Sequence, residues 1–298
     1  MSIALSIGRP QDRAAVRSVS FDDVVATYVV DGVLTTRPEI FFPETPTEAW
    51  GGLRTPTGDL LVSVGGLVVQ IAGTTVLIDA GVGVMRSPFA FGTADCGSML
   101  DVLAALGDRP EDIDVLALTH LHFDHAGWAF ANGGRTFPAA RYAMAAREWA
   151  SYGAGTNEGQ AVPEHVISEL ASGDVEFELL VDGEEVVPGV RALVTGGHTP
   201  GHTAYEITAR TGRRLIAFGD AFHSPLQVMH PDWLSIADTD AAGVTAARRR
   251  LLGELSRPDT IGFGGHFGDQ TFGRVAVGAD GEHTWEPVPT NVLSPPPR

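Results

Sequence analysis

Four side chains able to ligate a metal ion fall within six residues at His120-Leu121-His122-Phe123-Asp124-His125. The run before them, Ile113-Asp114-Val115-Leu116-Ala117-Leu118, is apolar enough to form a buried strand. A strand that opens into such a loop delivers side chains in two directions. His120 and His122 are two apart and can point the same way, while Asp124 and His125 lie where the chain turns. That arrangement can serve two neighbouring metal ions, and imidazole with carboxylate suits zinc and its borderline neighbours. Three more candidates recur downstream, each in a glycine-containing loop after an apolar run. His198 stands in Gly196-Gly197-His198-Thr199-Pro200-Gly201-His202, Asp220 ends Leu215-Ile216-Ala217-Phe218-Gly219, and His266 ends Ile261-Gly262-Phe263-Gly264-Gly265. Small residues let the backbone come close at each tip.

The elements that must position these loops alternate between strand and helix in two blocks. Val24 to Val30, Leu60 to Val64, Leu67 to Ile71 and Thr74 to Ile78 read as strands, with Gly65-Gly66 and Gly73 as turns. Ser98 to Leu106 has apolar residues at helical spacing and stops at Gly107. Arg141 to Met144 reads as a short strand running into a helix around Glu148, and Val162 to Ala171 as another helix. In the second block, strands are expected near Val175 to Leu180, Glu185 to Val187, Val190 to Val194, Thr203 to Thr208 and Arg214 to Phe218. Asp240 to Leu255 is the clearest helix, with Val244, Ala247, Leu251, Leu252 and Leu255 on one side and Arg248-Arg249-Arg250 on a solvated face. A closing hairpin is expected across Asp280-Gly281.

Composition narrows the function classes. The chain has 298 residues, 44% of them hydrophobic, enough for a large core in one domain spanning 1–298. Residues 1–20 read as an N-terminal arm and 291–298 as a frayed tail. A net charge of −17 argues against a nucleic-acid or anionic-membrane partner. Cys96 is the single cysteine, so no disulfide forms within the chain, and the residue reads as a small apolar side chain. The N-terminus has no basic leader and no segment has the length of a membrane span, so a cytoplasmic protein is expected. A small-molecule substrate fits this picture, and a homodimer is left open.

From Leu61 to His266 the chain resembles the metallo-β-lactamase-fold hydrolase superfamily, and H-x-H-x-D-H is highly specific for it. The resemblance implies an α/β fold, an αββα sandwich with the metal site at one edge of the two sheets. It places His120, His122 and His198 on one divalent metal and Asp124, His125 and His266 on the other, with Asp220 shared. Zinc is the expected metal, with manganese, cobalt and iron as alternatives. Asp79, at the end of Val76-Leu77-Ile78, stands where the family has an aspartate behind the metal loop. The implied reaction is hydrolysis of an ester, lactone or phosphotriester by a hydroxide held between the metals, with Asp124 and Asp220 as catalytic ligands and Asp124 the preferred proton shuttle.

Departures from neighbouring branches sharpen the expectation. His122 stands where flavodiiron proteins carry glutamate, and Asp220 where metallo-β-lactamases proper often carry cysteine. Glyoxalase II enzymes bind glutathione through a basic helical extension, whereas Arg274 and Arg298 are the basic residues that follow His266 in this sequence. Acyl-homoserine lactone lactonases carry a tyrosine three residues after the bridging aspartate, whereas His223 occupies that position here. Gly219-Asp220-Ala221-Phe222-His223 followed by Gln227-Val228 looks more like the methyl parathion hydrolase branch. His223 is therefore read either as a catalytic group or as a rim histidine facing solvent. Mononuclear iron redox chemistry, as in persulfide dioxygenases, and acyl-thioester hydrolysis are the alternative functions. Phe41, Phe42, Trp50, Phe89 and Phe91 lie in segments that could fold over the entrance, and a minority lining a pocket would suit a fairly apolar substrate.

Overall fold

The apolar run before the histidine motif becomes the strand Val115–Ala117, buried along its length. It pairs in parallel with Thr74–Ile78 on one side and Arg141–Ala145 on the other, with Ala117 opposite both Ile78 and Ala143. Parallel strands are covered on both faces, which is why these sequences read as near-continuous apolar runs. The computed structural model describes residues 5–153, 162–173, 175 and 177–294. Part of the strand expected from Val175, and the chain end beyond 294, lie outside them.

The larger sheet runs in the order Leu5–Ser6, Thr290–Ser294, Val16–Phe21, Val24–Thr36, Leu60–Ile71, Thr74–Ile78, Val115–Ala117, Arg141–Ala145 and Phe177–Leu180. A hairpin of Met85–Phe89 and Gly92–Cys96 adds to Val24–Thr36. The second sheet has seven strands in chain order, from Glu185–Val187 to His283–Pro287. Leu67, Val76 and Leu116 of the first sheet share one core with Tyr205, Leu215 and Ile261 of the second, so the sheets pack face to face. The helix Met99–Leu106 buries Met99, Val102 and Leu103, and its C-terminal Gly107 takes the left-handed conformation that ends helices. Ala241–Leu255 is capped by the Asp240 carboxylate accepting from the Gly243 N–H. Helices outside two facing sheets make the expected αββα sandwich. No helix among the described residues is long and apolar enough to cross a membrane.

Four local readings change. Leu60–Ile71 runs unbroken through Gly65-Gly66 instead of turning there. A Cβ on Gly66 would come within 2.2 Å of the Asp79 carbonyl oxygen, so the glycine serves close strand approach rather than a reversal. The irregularity sits across the ladder, where Val24–Thr36 bulges between Val30 and Gly32 and sets Asp31 out of register. The arginine run is not all solvated: Arg249 and Arg250 are exposed, but Arg248 is fully buried. Residues 291–294 of the supposed tail form a strand on Leu5–Ser6 and Val16–Phe21. The supposed N-terminal arm also contributes strands to the large sheet, and buried Arg17 binds Asp269, with Nε 2.6 Å from Oδ1.

Candidate metal centre

Strand ends bring the loops that carry the candidate ligands together. Val115–Ala117 and Thr74–Ile78 are parallel neighbours, so Asp79 and the His120–His125 loop emerge side by side. Arg214–Ala217 and Thr260–Phe263 repeat the arrangement in the second sheet, releasing Asp220 and His266 from adjacent strand ends. His198 comes from the loop joining Val190–Val194 to Thr203–Thr208, whose register pairs Val194 with Thr203.

The donor atoms of His120, His122, His198 and Asp220 all lie within 4.8 Å of one another, and so do those of Asp124, His125 and His266. The two oxygens of Asp220 divide between these groups. Oδ2 stands 3.2 Å from His198 Nε2 and 3.7 Å from His120 Nε2, while Oδ1 stands 2.9 Å from His266 Nε2 and 3.0 Å from His125 Nε2. Asp124 Oδ2 lies 3.7 Å from His266 Nε2 and 3.8 Å from His125 Nε2. His198 Nε2 and His122 Nδ1 approach to 3.1 Å, and the Nε2 atoms of His125 and His266 to 3.2 Å. His120 Nε2 and Asp220 Oδ1 are buried without a hydrogen-bond partner. Orphaned donors converging in a buried, carboxylate-containing cluster are what divalent cations satisfy, and the residues fit such ions.

Groups behind the cluster fix the ring orientations. His125 Nδ1 meets Asp79 Oδ2 at 2.8 Å, His266 Nδ1 meets the Ser63 carbonyl oxygen at 2.8 Å, and His198 Nδ1 meets Asp238 Oδ1 at 3.1 Å. Asp79 adopts a left-handed conformation, φ 63°, which lets its carboxylate also accept from the Thr119 N–H and hydroxyl. His202 lies beneath the site as a structural contact, its Nε2 accepting from the Asp220 N–H at 2.9 Å. Buried Glu148 accepts from Leu121 N–H, the Thr199 hydroxyl and Gly201 N–H, clasping the His120 and His198 loops together. Asp31 accepts from the N–H groups of Val82, Gly83, Gly97 and Met99 and from the Trp128 indole, tying the loop after Asp79 to the segment after His125.

Charge in the cluster is strongly coupled. Burial pushes the Asp220 carboxyl up, but His125, His266, His223 and His198 together hold it well below the usual carboxylate range. Burial, aided by the charge of His198, pulls His122 down to about 3. His198 goes the other way, to about 9, because Asp220 and Asp238 outweigh its burial. Burial pushes the Cys96 thiol up to about 12, consistent with an inert apolar role.

His223 is not a solvent-facing rim residue. Its side chain is 2% exposed, and Nε2 lies 3.2 Å from Asp220 Oδ2. Its backbone N–H donates to Gln227 Oε1 at 2.7 Å, which explains the Gln227-Val228 signal. Phe41 meets the imidazole edge-on at 5.4 Å between centroids, with Phe42 at 6.3 Å, and Phe91 and Phe89 extend the cluster from Phe41 toward Phe123. A shallow adjoining recess touches His223 and His266 and is walled by Phe42, Leu53, Leu60 and Phe267. Asp31, Glu148, Asp238 and Arg248 escaped the sequence reading. Arg248 had a signal, since it lies four residues after Val244 and four before Leu252, on the apolar stripe.

The fold and the loop chemistry define a metallo-β-lactamase-type protein. The family model of the Metallo-beta-lactamase superfamily matches residues 61–266, and the chain belongs to that superfamily. Among curated relatives, an N-acyl homoserine lactonase of Bacillus cereus is 30% identical over 171 residues, 56% of this chain and 61% of that protein. The chain thus spans about three-fifths of that relative's length. Among solved structures, the hydrolase AbOPH of the beta lactamase superfamily aligns with a TM-score of 0.78 at 23% identity, covering 93% of this chain and 99% of that one. AidC, described as a dizinc quorum-quenching lactonase and solved with a product N-hexanoyl-homoserine, aligns at 0.77 and 20% identity, covering 93% and 98%.

Proposed function

We propose that the chain is a metal-dependent hydrolase with a two-ion site, cleaving an ester, lactone or phosphotriester bond of a small, fairly apolar substrate. The observation that carries this reading is the division of Asp220, with Oδ2 toward His120 and His198 and Oδ1 toward His125 and His266. On this reading His120, His122 and His198 hold one ion, Asp124, His125 and His266 hold the other, and Asp220 serves both. The imidazole-rich donor set favours zinc. Divalent cations bound there supply a water acidic enough to attack at neutral pH and charge for the substrate oxygen.

The chain's own groups do the rest. The Asp124 side chain, 12% exposed against 4% for Asp220, is the carboxylate placed to exchange a proton with solvent. Its oxygens take the proton released on attack and return it to the leaving group. His223, held by Gln227 and aimed at the Asp220 side of the site, offers an imidazole N–H to the oxygen that gains charge. The phenylalanine cluster beside His223 excludes water and offers apolar contact to a substrate substituent. The lactonase relatives support lactones as the first class to test.

The test is a hydrolysis screen over lactones, aryl esters, thioesters and phosphotriesters with and without chelator, alongside metal analysis. About two zinc, cobalt or manganese ions per chain and chelator-sensitive turnover are expected. One iron per chain with oxygen consumption would refute the reading, as would an anomalous-scattering map of fully loaded protein with no peak between these side chains.

A further inference from the structure

The helix Ala241–Leu255 carries one charged side chain on its buried face, Arg248. The guanidinium reaches four groups. Nε donates to the Ala221 carbonyl at 2.5 Å, Nη1 to the carbonyls of Trp233 at 2.7 Å and Pro231 at 3.3 Å, and Nη2 to Asp238 Oδ2 at 3.0 Å. Ala221 directly follows Asp220. Asp238 also accepts from the Ser235 N–H at 2.8 Å and presents its other oxygen to His198 Nδ1. The side chains of Arg248, Asp238 and His198 are all 0% exposed. A buried ion pair is weak evidence for stability, since hydrophobic replacements often serve as well. The directions of these contacts point to another role.

We propose that Arg248 and Asp238 are positioning residues for one of the two metal subsites, that of His120, His122, His198 and the shared Asp220. The proposal rests on the two-ion reading above. A carboxylate at Nδ1 fixes His198 as the tautomer with its proton on Nδ1, leaving the Nε2 lone pair aimed at the cluster. Arg248 fixes that carboxylate and, through the Ala221 carbonyl, the turn that carries Asp220. One guanidinium therefore sets the relative placement of two ligands from different loops. The other subsite takes its supports from the first half of the chain, Asp79 behind His125 and the Ser63 carbonyl behind His266. Lysine could not substitute, because a single ammonium on a flexible stem lacks the planar fork that meets these acceptors together.

The experiment titrates cobalt(II) into metal-free full-length chain, followed by visible absorption, and reads the His198 tautomer by imidazole nitrogen NMR. Asp238→Asn is nearly isosteric and is the primary variant, with Arg248→Lys beside it and Asp79→Asn as the counterpart. The unaltered chain should take two equivalents. Asp238→Asn should weaken one of them by about 10–100-fold and leave the other unchanged, while Arg248→Lys, which also loosens the turn carrying the shared Asp220, should weaken that same ion more than the other. Asp79→Asn should weaken the complementary ion more, with a different absorption change, because Asp79 meets His125 directly and reaches His120 only through the Thr119 hydroxyl. In Asp238→Asn the amide can turn its NH₂ toward His198, and the imidazole signals should move toward the other tautomer. Equal weakening of both ions, or two unaltered equivalents with an unaltered His198 tautomer, would overturn the proposal. An unaltered chain that binds no cobalt would overturn the two-ion reading itself, and the proposal with it.

Discussion

Replacing His223 with phenylalanine removes a donor from the site while keeping a ring between Phe41, Phe42 and the ligands. The imidazole is 2% exposed, and its Nε2 lies 3.2 Å from Asp220 Oδ2. Burial lowers its pKa, with Asp220 only partly opposing, so the ring is neutral at pH 7 and donates from one nitrogen. An oxyanion donor in a buried site is typically worth about 10²–10³ in turnover, or about 2.7–4 kcal/mol. His223→Phe should therefore lose roughly that factor in kcat while keeping its metal content. His223→Ala also empties the space against Phe41 and Phe42, so its additional loss over phenylalanine measures packing. His223→Tyr restores a donor and should shift preference toward lactones. The assay is kcat and KM on one lactone and one aryl ester for all three variants, with metal counted in each. Turnover by His223→Phe within about threefold of the unaltered chain on both substrates would reject the donor role, since that is far below the expected factor.

Asp220→Ala should cost more activity than His223→Ala and should lower the content of both metals; near-normal turnover and metal content would exclude a shared ligand. Burial, against the Thr199 hydrogen bond, pushes Glu148 above its ordinary 4.5. The folded chain then holds this proton more tightly than the unfolded one, so the contribution is fully present below about pH 4.5 and is lost as pH rises through the folded pKa. Glu148→Gln cannot titrate and should flatten that limb of the stability profile in urea unfolding of metal-free chain, and identical slopes for both chains would contradict the assignment. Arg17→Met strands the buried Asp269 carboxylate and should cost about 3–5 kcal/mol. Removal of Arg9, which pairs with Asp12 at the surface, should leave the unfolding midpoint unchanged, and equal effects of the two changes would refute the distinction.

The seven residues that converge in the cluster were legible because His120, His122, Asp124 and His125 share one compact motif after an apolar run, while His198, Asp220 and His266 each follow an apolar run and glycine. Of the supporting groups, Asp79 was expected from the resemblance and stands behind His125, whereas the others were not legible because they act across the chain. Glu148 holds N–H groups at Leu121 and Gly201, and nothing in its own neighbourhood in sequence announces either contact. Asp31 offered a faint signal, a carboxylate inside Tyr28-Val29-Val30-Asp31-Gly32-Val33, where burial of an unpaired charge would be costly. Its five donors come from three later segments, so the sequence showed that a partner was needed without showing which. Gly65-Gly66 misled because a glycine pair marks turns and close strand approach alike, and only the Asp79 carbonyl opposite distinguishes them.

The ligand register follows from one rule applied three times. His120 lies three residues beyond Ala117, Asp220 three beyond Ala217, and His266 three beyond Phe263, each counted from the last residue of a strand. Ala217 and Phe263 are direct neighbours in a parallel ladder, so the two loops start level and their tips meet, bringing Asp220 Oδ1 within 2.9 Å of His266 Nε2. Ala117 pairs with Ile78 in the same way, which sets Asp79 beneath the His120–His125 loop rather than within it. Sheet register therefore determines which carboxylate enters the cluster and which stands behind it: the same residue type, one residue past a strand end, orients a histidine, and three past it joins the converging groups. A one-residue slip in Arg214–Ala217 against Thr260–Phe263 would move Asp220 by about 3.3 Å along its strand. That is comparable to the 2.9–3.7 Å separations across which one carboxylate faces both histidine groups, so the register of the second sheet is as much a part of the site as its side chains.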